Sequence, residues 1–218
     1  MRVPIMINSM ISTIIANIPA LVITLPMFLA PVLAMIPSTG KTGRYIIWQL
    51  AHFVLGLSFA GCVYLFVNVY NLGPLNYFFG AWPPPIGIEY EATKLNTLLL
   101  MLISGMAFVL MLFGRSSVEA EVSSKKAGLF YAVFLLLVSG LMGMVITNDI
   151  FNIYVFMEIS SLATYALIAM GHDRRALTAS YNYLVVGTIG GTLFLTGIAF
   201  LYIISGSLNI SDIAYQLG

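Results

Sequence analysis

Apolar residues run along this chain in blocks of about 20, the length that crosses a hydrocarbon core, separated by short stretches rich in charge, glycine or proline. The pattern predicts helices at about 18–37, 46–71, 95–113, 128–147, 150–170 and 178–205. The first contains Pro19, Pro26 and Pro31, which a membrane helix tolerates where neighbours or hydroxyls satisfy the freed carbonyls, so a kinked helix is expected. Between the second and third, Asn71 to Tyr90 holds Gly73-Pro74, Trp82 and Pro83-Pro84-Pro85. That stretch is too interrupted for a helix and rich in interfacial aromatics, so it reads as an outer loop, with a hairpin as one form of it. The narrowest break is Thr147-Asn148-Asp149; without it residues 128–170 would form one run far longer than a span. No sustained repeat and no long polar linker interrupts the series. The expectation is an all-α integral membrane protein, one transmembrane domain over residues 1–218. Gly187 and Gly191 form a small-xxx-small pair on the sixth helix, which permits close approach to another helix.

Composition supports lipid as the solvent. The chain is 60% hydrophobic and 8% charged, against roughly a quarter charged in soluble domains, so an aqueous surface cannot be covered. A net charge of +1 gives no field towards nucleic acid, and no nucleic-acid partner is expected. Cys62, the single cysteine, can form no internal disulfide and reads as packing. Residues 3–40 carry no charge. They are too long for a secretory signal core of about 7–15 residues, so this stretch is expected to stay in the mature chain.

Charge sets the orientation. Lys41, Arg44, Arg115, Lys125, Lys126, Arg174 and Arg175 fall on one side of a six-span alternation, and only Arg2 and Lys94 on the other. By the positive-inside rule the loops 38–45, 114–127 and 171–177 face the cytoplasm, and both termini lie outside the cell membrane.

Ionisable side chains within spans are costly, and each is by default a functional candidate. Glu158 falls near the middle of the fifth helix, where an ionised carboxylate costs several kcal/mol unless paired, hydrated or protonated. A carboxyl that exchanges a proton away from bulk water is what a proton or cation relay requires. Tyr154, Ser161 and Tyr165, at i−4, i+3 and i+7, share its helical face and could hold water or pass a proton. His52, near Trp48 and Gln49 at the inner end of the second helix, reads first as an interfacial anchor and second as a relay group. Asp149, at the outer end of the fifth helix, caps the first turn and offsets its dipole, and is a candidate for ion access as well. Arg174 and Arg175, with His172 and Asp173, are explained by orientation.

Soluble-enzyme motifs fail. Ser38-Thr39-Gly40-Lys41-Thr42 ends like a phosphate-binding loop, but Met35 stands where the first glycine is required. No metal-ligand cluster and no hydrolase motif occurs, so no cofactor, no metal and no active site of the chain's own are expected.

The run from Asn148 to Ala169 (Asn-Asp-Ile-Phe-Asn-Ile-Tyr-Val-Phe-Met-Glu-Ile-Ser-Ser-Leu-Ala-Thr-Tyr-Ala-Leu-Ile-Ala) resembles the fifth-helix signature of antiporter-like membrane subunits. These are the D-type subunits of Mrp-type sodium/proton antiporters and their relatives in respiratory complex I and energy-converting membrane-bound hydrogenases. Gly80-Ala81-Trp82-Pro83-Pro84-Pro85-Ile86-Gly87-Ile88, Tyr181-Asn182-Tyr183-Leu184 and Gly206-Ser207-Leu208-Asn209 extend the resemblance along the chain. It implies that Glu158 is the ion-translocating glutamate, working with a lysine on a broken seventh helix. It also implies two inverted five-helix repeats, of which this chain holds only the beginning, and Asn182 stands where many relatives carry a lysine.

The expected function is therefore that of a membrane subunit in a multi-chain complex moving H+ and/or Na+, with other membrane subunits and lipid as partners. One partner chain would supply the missing helices and lysines, and any redox chemistry would belong to other subunits. The alternative is a shortened scaffold subunit that links antiporter-like modules without moving ions. A self-contained transporter would need its own inverted repeat and substrate site, which six helices do not provide.

Overall fold

The computed structural model describes residues 15–37, 40–123, 126–171 and 173–218. Arg2, Lys125, His172 and the Ser38-Thr39 pair lie outside them. In chain order the elements are α1 (Ile18–Met35), α2 (Gly40–Leu72), β1 (Leu75–Phe78), a 3-10 turn (Phe79–Ala81), β2 (Glu89–Ala92), α3 (Lys94–Phe113), α4 (Arg115–Glu121), α5 (Ala127–Ile146), α6 (Ile150–Ala169), α7 (Arg174–Ser205) and α8 (Ile210–Leu217). Six of these helices, α1, α2, α3, α5, α6 and α7, are long and apolar enough to cross a membrane.

Local chemistry sets most helix ends. Thr93, Asp149, Asp173 and Asn209 each accept a backbone N–H of the following first turn, and so begin α3, α6, α7 and α8. Gly206, at φ 68°, ends α7 in the left-handed conformation that glycine adopts without a Cβ clash. α1 runs unbroken with Pro26 and Pro31 inside it. Two helices start earlier than their apolar runs. α2 begins at Gly40 and α7 at Arg174, so the expected loops 38–45 and 171–177 are partly helical. Their first turns are polar, and hydropathy cannot see a polar turn.

α5 is the centre of the bundle and packs on α1, α2, α3 and α6. Tyr131, Leu135, Met142 and Ile146 of α5 meet Ile23 and Leu33 of α1, Leu55 of α2, Leu100 of α3 and Phe156 of α6 in one buried cluster. In lipid, hydrophobic burial does not drive helices together; close packing does. Gly140 and Gly143 serve that end. A Cβ on Gly140 would stand 2.8 Å from Phe156 O and 2.9 Å from Ser160 N, and one on Gly143 would overlap the Phe156 ring. The α6 backbone therefore rests directly on α5.

The loop after α2 is an antiparallel hairpin in which Leu75 pairs with Ala92 and Phe78 with Glu89. It lies at the same end as the start of α1, because Tyr77 Oη donates to Asn17 Oδ1 at 2.7 Å. At the other end the Arg115 guanidinium lies 5.0 Å from the Tyr45 ring and 5.1 Å from Trp48, joining the starts of α2 and α4. The α7 helix is outermost, and only a narrow stripe that includes Ser180, Gly191, Ile198 and Ser205 is buried.

Candidate functional site

The candidate site is the antiparallel seam between α6 and α7. α6 has two working faces. Phe156, Ser160 and Ala163 are buried, with Phe156 and Ser160 against the glycines of α5, while Tyr154, Glu158 and Tyr165 meet α7. Tyr154 stacks on Phe194 with ring centroids 6.4 Å apart. Glu158 lies against Gly191, and Tyr165 places its hydroxyl at Gly187. Tyr165 also meets Tyr183 edge-on at 5.0 Å, and its carbonyl accepts the Ser180 hydroxyl at 2.7 Å.

The half-buried Glu158 thus sits in a helix–helix seam with a phenol one turn before it and another two turns after it. Ser161 is half-buried on the same face. The structure brings together Tyr154, Glu158 and Tyr165, all three through contacts with α7. Such a carboxyl with adjacent hydroxyl groups can accept and release a proton or hold a small cation.

Asp149 and His52 lie elsewhere. Asp149 is nine residues, or about 13 Å, before Glu158 along α6. Its Oδ1 accepts the Asn152 N–H at 2.7 Å, and it bridges to Asn209. Burial pushes its carboxyl above the ordinary value, against the pull of the Asn152 and Phe151 N–H groups. His52 is on α2, stacked between Phe108 at 4.4 Å and Trp48 at 5.5 Å, with Nδ1 buried and unpartnered. Its ring contacts are with α3 and its own helix, not with the α6–α7 seam.

The residue that the sequence reasoning missed is Glu89, on β2. It is buried, and its Oε2 accepts Asn148 Nδ2 at 3.1 Å and Asn209 Nδ2 at 2.8 Å. Asn148 Nδ2 also reaches Ser211 Oγ at 2.9 Å, and its backbone N–H donates to Glu89 O. Beside this clamp Tyr90 pairs with Thr147, and burial raises its phenol above the ordinary value, with an Asn152 hydrogen bond opposing and Tyr77 reinforcing. A carboxylate clamped by two amides ties the hairpin to the α5–α6 joint and to the start of α8. Its signal was a pair of carboxylates, Glu89 and Glu91, inside an aromatic stretch beside a span.

Comparison with known proteins finds relatives in sequence and in fold. Residues 147–217, which contain the whole α6–α7 seam and both amides of the clamp, match the transmembrane family of NADH:quinone oxidoreductases and Mrp antiporters. The chain is 36% identical over 206 residues to the N-type subunit of the NADH-quinone oxidoreductase of Desulforudis audaxviator, covering 93% of this chain and 40% of that one. It is 33% identical to the D-type subunit of the Na(+)/H(+) antiporter of Alkalihalophilus pseudofirmus, over 72% of this chain and 31% of that one. Among solved structures, a chain of the membrane-bound sulfane sulfur reductase, an archaeal respiratory membrane complex, superposes with a TM-score of 0.79 at 33% identity, over 94% of this chain and 39% of that one. A chain of the Mrp complex from a Dietzia species shares the fold, with a TM-score of 0.80 at 23% identity. The chain thus spans two fifths or less of the length of these relatives. It is a multi-pass membrane protein, and by sequence and fold it is a relative of the antiporter-like membrane subunits of Mrp antiporters and complex I, with the family's transmembrane segment at residues 147–217.

Proposed function

We propose that the chain is a membrane subunit of a multi-chain, cation-translocating complex, and that Glu158 carries H+ or Na+ through the α6–α7 seam. The observation that carries this reading is the placement of the Glu158 carboxyl in the seam, between Tyr154 and Tyr165 and away from the capping cluster. The relatives support it, since they are an antiporter subunit, a quinone oxidoreductase subunit and a chain of a respiratory membrane complex. Ser161 belongs to the same polar face; Asp149 and His52 act, in this reading, as a cap and an anchor.

The cationic partner of Glu158 comes from helices packed on the outer face of α7, whether in the same protein or another chain. α7 is exposed around most of its circumference, and that surface carries Asn182, Thr188, Thr192 and Thr196, a polar set for a lipid-facing helix. The end bearing Arg44 and Arg115 faces the cytoplasm of the cell membrane, and any redox chemistry belongs to other subunits.

The test is to purify the tagged chain in mild detergent, identify the membrane chains that come with it, and reconstitute both the assembly and the chain alone. Gradient-driven H+ or Na+ flux is expected from the assembly only. Robust flux from the isolated chain would overturn the subunit reading.

A further inference from the structure

We propose that Gly191 and Gly187 are positioning residues for the ion step, seating the Glu158 carboxyl and the Tyr165 hydroxyl against the bare backbone of α7. This deepens the reading of Glu158 above and rests on it. The four glycines in the middle of α7 separate into two kinds. A Cβ on Gly191 would collide with Glu158 Oε1 and stand 3.4 Å from Glu158 Cδ and 3.8 Å from Tyr154 Cε2. One on Gly187 would collide with Tyr165 Oη and stand 2.8 Å from Tyr165 Cζ. On Gly190 and Gly197 it would meet nothing within 4 Å.

The nature of the neighbour separates this from ordinary helix packing. At Gly140 of α5 the neighbours are largely backbone, Phe156 O and Ser160 N, which is how a small residue lets two helices approach. At Gly191 and Gly187 the nearest atoms are the functional oxygens of two side chains. At Gly191 an alanine would fit were it not for the Glu158 oxygen, since the next atoms stand at ordinary contact distance, whereas at Gly187 the Tyr165 ring carbon is too close as well. A carboxyl is the far end of a flexible side chain, so a methyl group at 191 displaces it by rotation rather than forcing the helices apart. The expected lesion is a correctly assembled protein whose carboxyl is in the wrong place.

The experiment compares Gly191→Ala with Gly190→Ala in the assembled complex in inverted vesicles. Readouts are ion flux per assembled complex and the infrared carboxyl band of Glu158, identified by its loss in Glu158→Gln. Gly191→Ala should assemble, lower flux by up to about a hundredfold, the scale of a misplaced reacting group, and move the band; Gly190→Ala should change neither. In the Glu158→Asp background, where the carboxyl is one methylene shorter, the Gly191→Ala penalty should shrink. If Gly191→Ala fails to assemble, adding Glu158→Ala should restore assembly, and failure to do so overturns the seat. An unmoved band in Gly191→Ala, or an equal shift in Gly190→Ala, also overturns it. Normal flux in Glu158→Gln would instead defeat the ion reading, and the band would still report whether Gly191 seats the carboxyl.

Discussion

Asn209 donates from Nδ2 to Glu89 Oε2 at 2.8 Å across 120 residues of chain, and Asn148 donates to the same oxygen at 3.1 Å. Removing the shared acceptor leaves two buried amides without it, and each orphaned donor costs about 1–3 kcal/mol. Glu89→Ala should therefore lower the melting temperature in detergent more than Asn209→Ser does, a change that removes the amide donor but keeps an oxygen to cap the Asp212 N–H of α8. The two losses should be far from additive when combined, because they break one network. Additive losses would show that the clamp is not a unit.

Asp149 supplies a pH dependence with a definite sign. Its folded carboxyl titrates above the ordinary value of 3.8, so between the two values the folded state holds a proton that the unfolded state has released. Its contribution is then most favourable below the ordinary value and is lost as pH rises through the raised one. Asp149→Asn keeps an oxygen to cap Asn152 N–H but does not titrate. The melting temperature of the variant relative to wild type should rise from acid towards neutral pH. An offset independent of pH would remove burial of the charge as the cause. Asp149→Ala, which loses the cap, should be destabilised by about 0.5–2 kcal/mol.

The two ends of the bundle can be told apart by labelling. Asn76 on β1 and Ser117 on α4 are both exposed, and the 20 residues of α3, about 30 Å of helix, separate their ends. Cysteines at these positions should react from opposite sides of the membrane, with Ser117→Cys reachable only from the cytoplasm. The buried Cys62 gives no background. Labelling of both from outside would contradict the orientation.

The spans were legible because about 20 apolar residues in a row have few other uses, and Glu158 was legible because a charge inside such a run is costly. The capping of α6 by Asp149 followed from its place before the run. The clamp was not legible: Glu89 lies 59 residues from Asn148 and 120 from Asn209, and no local pattern encodes such a meeting. The polar first turns of α2 and α7 were hidden for the opposite reason, since hydropathy counts them as loop. Gly187 and Gly191 were visible as a packing pair, but which side chains they would face depended on the register of α6 against α7.

The most direct measurement is ion translocation by the parent complex carrying Glu158→Gln, in inverted vesicles and normalised to assembled complex. Glutamine keeps the shape and hydrogen-bonding capacity of the side chain and removes titration. Assembly should match wild type while translocation falls at least on the order of a hundredfold, the scale of losing a positioned proton-transfer group, whereas Asp149→Asn should leave most of the rate. A Glu158→Gln complex that assembles normally and translocates at the wild-type rate would make the carboxyl structural and contradict the account.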